Sequence, residues 1–189
     1  SILFTTGNGK YIITDFSLFT YKTVQYSIQP LKVRKDPFGG YIIHDNAYYA
    51  PQSGSNNGKG LVKLSNHLDS LWTVPVSHYY GYGAELYGCP SDLIITNDGG
   101  IAMCGSMYWD YQYVPYLIKT DSVGNPIIIR LYTGAVPNGA INLFEETDGS
   151  FIILESRGVT PRRMFIVKTN TDGSVNFQMQ AAEKKDINV

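Results

Sequence analysis

The stretch Asp92-Leu93-Ile94-Ile95-Thr96-Asn97-Asp98-Gly99-Gly100-Ile101-Ala102-Met103-Cys104-Gly105-Ser106 decides how the rest of the chain is read. Two short apolar runs flank Asn97-Asp98-Gly99-Gly100, and short apolar runs bounded by turn residues read as strands. Glycine supplies the φ > 0 positions of a tight hairpin, because it carries no Cβ to clash there. The stretch therefore predicts a β-hairpin.

The hairpin recurs. Thr147-Asp148-Gly149-Ser150-Phe151-Ile152-Ile153-Leu154-Glu155-Ser156 is a second copy, preceded by Ile141-Asn142-Leu143-Phe144-Glu145. Pro37-Phe38-Gly39-Gly40-Tyr41-Ile42-Ile43-His44-Asp45 is a third, and Gly7-Asn8-Gly9-Lys10-Tyr11-Ile12-Ile13-Thr14-Asp15 a fourth. After a loop of variable length, three of the copies continue into a second signature: Leu61-Val62-Lys63-Leu64, Leu117-Ile118-Lys119-Thr120-Asp121 and Ile166-Val167-Lys168-Thr169-Asn170. A turn and one more apolar run close each unit, as Ser70-Leu71-Trp72-Thr73-Val74, Pro126-Ile127-Ile128-Ile129 and Val175-Asn176-Phe177. The three lysines lie 56 and 49 residues apart. Each unit reads as a four-stranded antiparallel meander, with strands A and B around the first turn and strands C and D around the second. Lys63, Lys119 and Lys168 are expected to alternate out of the core. Four strands per repeat at about this period, stacked radially, make a β-propeller.

The pattern Asp-Gly-Gly-[Tyr/Phe/Ile]-Ile-Ile, a variable loop, then [Leu/Ile]-[Ile/Val]-Lys-Thr-Asp-x-x-Gly-Asn resembles the propeller-like repeats of bacterial secreted and surface-anchored proteins. The resemblance spans roughly residues 26–180. It implies an all-β propeller or partial propeller and an extracellular or outer-surface location, secreted or lipoprotein. It further implies service as a scaffold, adhesion or ligand-binding module. Two copies depart from the pattern. One has Asp36-Pro37-Phe38 in its turn, and the earliest leaves only the 14 residues Phe16 to Gln29 before the next strand A, too few for normal C and D strands. The domain reading is one propeller-like domain over 1–189: a partial blade at 1–25, blades at 26–76, 77–135 and 136–180, and a tail at 181–189. A closed four-bladed ring and a piece of a larger ring both fit this count.

Composition agrees with this architecture and narrows the function. The 189 residues include 15 Tyr and 19 Gly, with 43% hydrophobic and only 16% charged residues. Ordinary domains are about 25% charged. A net charge of −1 removes the electrostatic case for a nucleic-acid partner. No apolar run approaches the ~20 residues of a membrane span, so the chain is expected not to be transmembrane. It opens at Ser1 without an initiator Met or a basic leader, so any signal peptide is expected to have been removed.

In a meander the A–B and C–D hairpins point one way, and the B–C and D–A connections the other. The glycine hairpins are short and nearly identical, whereas the opposite end takes the long connections Asn46 to Gly60, His78 to Cys89, Ser106 to Val114 and Arg157 to Arg163. Function sits on variable loops carried by a rigid scaffold. These loops hold Tyr48, Tyr49, His78, Tyr79, Tyr80, Tyr82, Tyr87, Tyr108, Trp109, Asp110, Tyr111 and Tyr113. Tyr79, Tyr80, Tyr82, Tyr108, Trp109, Tyr111 and Tyr113 are the candidate ligand-binding residues, since aromatic rings stack on sugars and hold peptides. The competing reading is that these tyrosines simply pack between blades.

Catalytic patterns are weak. His44, His67 and His78 lack metal-ligand spacing, and no nucleophile elbow, P-loop or paired glycosidase signature occurs. Asp121 and Asp172 read as turn formers rather than calcium ligands. Neither a cofactor nor a metal is expected. The function expected is a non-catalytic extracellular scaffold or interaction module, partnered by another protein or a larger chain within a cell-surface assembly. One alternative is a carbohydrate- or peptide-binding accessory protein using the aromatic loops. Another is a propeller hydrolase or lyase, for which only the scattered acids Asp92, Glu85 and Asp110 are available. Cys89 and Cys104 would form a disulfide only if Gly88-Cys89-Pro90 folded back over strand B, where Cys104 is expected opposite Leu93.

Overall fold

The computed structural model of the chain describes residues 2–5, 10–14, 20–25, 30–45, 60–75, 90–109, 112–133, 139–158 and 163–180. Among them the secondary structure is entirely β, with no helix. The strands are β1 (Ile2–Thr5), β2 (Lys10–Thr14), β3 (Thr20–Gln25), β4 (Pro30–Lys35), β5 (Tyr41–Asp45), β6 (Gly60–Leu64), β7 (Ser70–Pro75), β8 (Pro90–Ile95), β9 (Ile101–Trp109), β10 (Gln112–Thr120), β11 (Pro126–Leu131), β12 (Gly139–Glu145), β13 (Phe151–Arg157), β14 (Arg163–Thr169) and β15 (Val175–Gln180). They form a three-stranded sheet β1-β2-β3 and three four-stranded sheets, β4-β5-β6-β7, β8-β9-β10-β11 and β12-β13-β14-β15. Each is an antiparallel meander in chain order, and we number the sheets first to fourth.

One turn geometry is used throughout the three complete sheets. In the A–B hairpins Thr96 N–H donates to Gly100 O at 2.9 Å and Gly99 N–H to Thr96 O at 2.8 Å, with matching bonds in Asp36–Gly40 and Glu146–Ser150. The C–D hairpins repeat it in Ser65–Asp69, Asp121–Asn125 and Asn170–Ser174. The fourth residue of each turn is left-handed. It is Gly39, Gly99, Gly149, Gly124 or Gly173 in five cases and Leu68, with φ of 63°, in the sixth. Asp98, Asp121, Asp148 and Asp172 sit in these turns and accept hydrogen bonds from backbone N–H groups two residues on. They are turn formers.

Register distinguishes the two hairpin kinds. Every A–B pairing is irregular near its start, at Pro30/Lys32, Pro90/Asp92 and Ala140/Asn142. Every C–D pairing is irregular near its turn, at Lys63/Leu64, Lys119/Thr120 and Lys168/Thr169, whereas the B–C ladders run without a shift. In the first sheet β2 and β3 shift between Ile13 and Thr14, close to their turn. The β1–β2 pairs Ile2↔Thr14 to Thr5↔Tyr11 repeat the pairs Lys32↔His44 to Lys35↔Tyr41 of the second sheet's A–B hairpin. Among the described residues, Phe16 to Gln29, read as too short for two strands, holds β3.

The second, third and fourth sheets stack face to face in chain order. Residues paired across strands share a face; the face that the second sheet turns to the third, with its register equivalents in the third and fourth, is termed forward, and the opposite face rear. Ile42, Leu61 and Trp72 on the forward face of the second sheet pack with Leu93, Ile101, Met103, Tyr116 and Ile118 on the rear face of the third. Ile94, Ala102, Cys104, Leu117 and Ile128, forward in the third, pack with Leu143, Phe151, Ile153 and Val167, rear in the fourth. The closest approaches repeat as well. A Cβ added to Gly124 would meet Val74 Cγ2 at 2.8 Å and Trp72 at 3.3 Å, and one added to Gly173 would meet Ile128 Cγ2 at 2.8 Å and Arg130 at 3.0 Å. Trp72 and Ile128 hold the same register position, as do Val74 and Arg130. The C–D turns of the third and fourth sheets thus lean on the last strand of the sheet before them in the same way.

The repeat lysines depart from expectation. They lie on the forward faces, where Lys63 pairs Asp36 and Lys119 donates to Asp98 at 2.6 Å. The Lys63 and Lys119 side chains are only 11% and 12% exposed. Burial pulls the Lys63 pKa down even with Asp36 beside it. Lys168, on the fourth sheet, is 39% exposed. Lys63 and Lys119 cover the hairpin ends of the core rather than pointing away from it.

Candidate functional site

The β9–β10 hairpin is longer than its counterparts, with nine residues in each strand against five in β5 and β6 and seven in β13 and β14. Ser106 to Val114, read as an irregular loop, is largely ladder. Ser106 pairs Pro115, Met107 pairs Val114, Tyr108 pairs Tyr113 and Trp109 pairs Gln112. The signal missed was the alternation Met107, Tyr108, Trp109 running straight on from strand B. Register brings three of the candidate residues, Tyr108, Trp109 and Tyr113, to the tip of one ladder at the B–C end, and the Tyr113 side chain is half-exposed. Tyr79, Tyr80, Tyr82 and Tyr111 lie outside the described residues, as do Asp110, Glu85 and His78.

A second feature lies where the third and fourth sheets meet. A cleft of about 610 Å³ is lined by Arg130, Tyr132, Glu155, Arg157, Ser174 and Gln178, among others. The alternation of β13 aims Phe151, Ile153 and Glu155 to the rear face together, so a carboxylate enters an otherwise apolar stripe. Glu155 is fully buried. Its Oε2 accepts from Arg157 Nε at 2.8 Å, while Oε1 has no hydrogen-bond partner among the described residues. Arg157 stacks over the Phe165 ring at 4.4 Å and donates to Gln178 Oε1 at 3.2 Å. Across the cleft Tyr132 donates to Gly173 O at 2.9 Å, and Arg130 donates to Asp172 O and Oδ2, both at 3.0 Å. Burial, reinforced by the nearby Glu155 charge, pushes the Tyr132 hydroxyl pKa up, so it stays a neutral donor. The cleft therefore offers two guanidinium groups already paired and one carboxylate oxygen still open to a donor. Sequence reasoning passed over Glu155, although the position of a lone acid in the stripe Phe151, Ile153, Glu155 was visible.

The remaining candidates have structural employment. Asp92, considered as an acid for catalysis, accepts from Arg34 Nη2 at 2.6 Å, from Leu93 N–H at 2.9 Å and from Leu143 N–H at 3.2 Å. His44 is buried in β5 and His67 is exposed in a C–D turn. Cys104 is a free, buried thiol, and burial pushes its pKa up. It pairs Asp92 rather than Leu93, because the turn takes the five residues Thr96–Gly100 and the ladder resumes with Ile95 opposite Ile101. Cys89 lies outside the described residues. Among the described residues no three His, Cys, Asp or Glu side chains gather as a metal site, and no helix is long and apolar enough to cross a membrane. Comparison with known protein families and with curated proteins returns no match.

Proposed function

We propose that the chain is a propeller-type interaction module, a non-catalytic scaffold of the extracellular surface that makes its contacts through the B–C end of its sheets. The observation that carries this reading is the repeated docking of Gly124 on Trp72 and Val74, and of Gly173 on Ile128 and Arg130. One sheet-to-sheet motion used twice is what radial stacking requires. Such stacking turns all B–C hairpins to one end. Asn97 N–H donating to Glu145 Oε2 at 2.6 Å ties the turn end of the third and fourth sheets, and the close approach of Gly139 to Ser106 Oγ ties the other end, so these two sheets run side by side. A stack that carries, among the described residues, one hairpin longer than the others suits a binding scaffold. The extracellular assignment is supported by the repeat resemblance. The test is binding to arrays of extracellular proteins by the intact chain and by a variant whose β9–β10 hairpin is cut to the length of β5–β6. Loss of binding with an unchanged Tm supports the reading. Turnover of glycosidic or peptide substrates by the purified chain would refute it.

A second reading is favoured by the pairing of Tyr108 with Tyr113 beside Trp109. Aromatic residues paired at a ladder tip suit a sugar ring or an extended peptide. Here Trp109→Ala would abolish binding to a glycan or peptide array while the fold persists.

A further inference from the structure

At the cleft between the third and fourth sheets the fourth repeat departs from the third. Pairing equates Glu155, opposite Phe165, with Gly105, opposite Tyr116. It likewise equates Arg157 with Met107 and Gln178 with Ile129. In the third sheet the buried Tyr116 belongs to an apolar cluster. The fourth sheet instead brings a carboxylate, a guanidinium and an amide to a cleft of about 610 Å³. The repeat does not require these three polar groups, and small-molecule sites have volumes of about 300–1,000 Å³.

The hydrogen bonds of these groups define what the cleft accepts. Glu155 lines the cleft and is fully buried, so it lies at the base. Arg157 Nε and Nη2 both close on its Oε2, at 2.8 and 2.7 Å, and Oε1 has no donor among the described residues. A buried acceptor without a donor loses its hydration for nothing, so a molecule in the cleft gains most by bringing an O–H or N–H. Arg157 is neutralised by Glu155, and Arg130 by Asp172 at 3.0 Å. An anion would meet the lone pairs of Glu155 Oε1, and a cation would meet two guanidiniums, so the lining selects a neutral molecule.

We propose that this cleft binds a neutral sugar ring, one hydroxyl of which donates to Glu155 Oε1 and accepts from Arg157. Arg157 spends Nε and Nη2 on Glu155 and Gln178, which leaves Nη1 as a donor on the same ion pair that offers Oε1. A hydroxyl is donor and acceptor on one atom and serves both, whereas a trans peptide amide points its N–H and C=O in opposite directions. Gln178 is exposed, so it stands at the mouth; its oxygen accepts from Arg157 and its NH2 is offered to a second hydroxyl. Val167 and Val175 supply an apolar lining for the C–H face of the ring. The site is separate from the β9–β10 tip, since none of the described residues of that hairpin lines it.

The experiment is titration calorimetry and saturation-transfer NMR on the full chain with the methyl glycosides of glucose, galactose and mannose, beside phosphate and methylammonium as charged probes. The expected result is saturable binding of at least one glycoside and of neither ion. Glu155→Gln, which puts an NH2 where the hydroxyl donates, should weaken that binding at least about tenfold, the worth of one hydrogen bond to a charged group. Gln178→Ala changes an exposed residue and keeps the fold whether or not Glu155→Gln does, and it should weaken binding about threefold with an unchanged Tm. Binding of no glycoside, binding of either ion in its place, or glycoside affinity unchanged in either folded variant would overturn the proposal. Glycoside binding lost in Trp109→Ala and kept in Gln178→Ala would overturn it too, and would assign the sugar to the β9–β10 tip.

Discussion

The carboxylate of Asp92 in the third sheet accepts a hydrogen bond from the backbone N–H of Leu143 in the fourth at 3.2 Å. Its other oxygen takes the guanidinium of Arg34, in the second sheet, at 2.6 Å. One side chain thus ties together the first strands of three successive sheets. Hydrogen bonds to a charged group contribute about 1.5–3 kcal/mol each, and a buried N–H left without an acceptor costs about as much as the bond contributed. Asp92→Ala is therefore expected to lower stability by about 3 kcal/mol in urea unfolding. Arg34→Ala, which removes a half-exposed partner and strands no backbone group, should cost about 1 kcal/mol.

Gly124 and Gly149 both have positive φ but differ in surroundings. A Cβ at Gly149 would find Thr171 Cγ2 at 3.9 Å and no closer atom, whereas one at Gly124 would strike the second sheet at 2.8 Å. Backbone strain alone costs about 1 kcal/mol, and overpacking adds another 1–3 kcal/mol or so. Gly149→Ala should lower stability by about 1 kcal/mol and Gly124→Ala by about 2–3 kcal/mol. Equal losses in thermal melts would show that the sheet contact contributes nothing.

Leu68 holds a left-handed backbone at the position given to glycine in the other five turns. It is also buried, packed with Tyr41, Ile43, Val62 and Leu64. Substitution by glycine would relieve about 1 kcal/mol of strain but remove a buried side chain worth about 2–5 kcal/mol. Leu68→Gly should therefore destabilise the fold by at least about 1 kcal/mol, the reverse of what turn chemistry alone predicts.

Asp98 is held down to about 2 by hydrogen bonds from Lys119 and Thr96, against some opposing desolvation. A carboxylate depressed in the folded state contributes stability above its unfolded value of about 3.9, and that contribution is lost as pH falls toward about 2. Because Asp98 is more than half-exposed, solvent screening holds the effect to about 1 kcal/mol. Asp98→Asn should be less stable than wild type by about that amount at pH 7. The gap should close between about pH 4 and 2 in denaturant melts.

Lys63 and Asp36 form a pair in which both side chains are largely covered. Removing the cation leaves Asp36 with the Phe38 N–H as its remaining donor. Lys63→Met should cost roughly 2 kcal/mol. Lys168→Met, whose partner Glu146 lies 3.8 Å away at a more open site, should cost well under about 1 kcal/mol. Comparing the two melts would separate burial from pairing.

Turns and strands were legible from the chain because their chemistry is local. Asp-Gly-Gly and Asp-Gly-Ser announce left-handed positions through the missing Cβ, and alternation in Phe151, Ile153 and Glu155 assigns faces within a strand. Leu68 was not legible as a left-handed residue, since nothing local favours leucine there and only burial holds it. The partner of Cys104 was misassigned by one position because the turn was read as Asn97–Gly100, whereas Thr96 belongs to it as well and Ile95 pairs Ile101.

What the amino-acid order determined by itself is the repeating meander, because hairpins are closed by contacts a few residues apart. Which faces are covered is a property of the stack. Phe177 and Ile128 hold the same place in their repeats, yet Ile128 is buried against the fourth sheet and Phe177 is exposed among the described residues. The same holds for the Glu155 cleft and for the Asp92 tie, which depend on residues from separate units brought together at distances that no local pattern encodes.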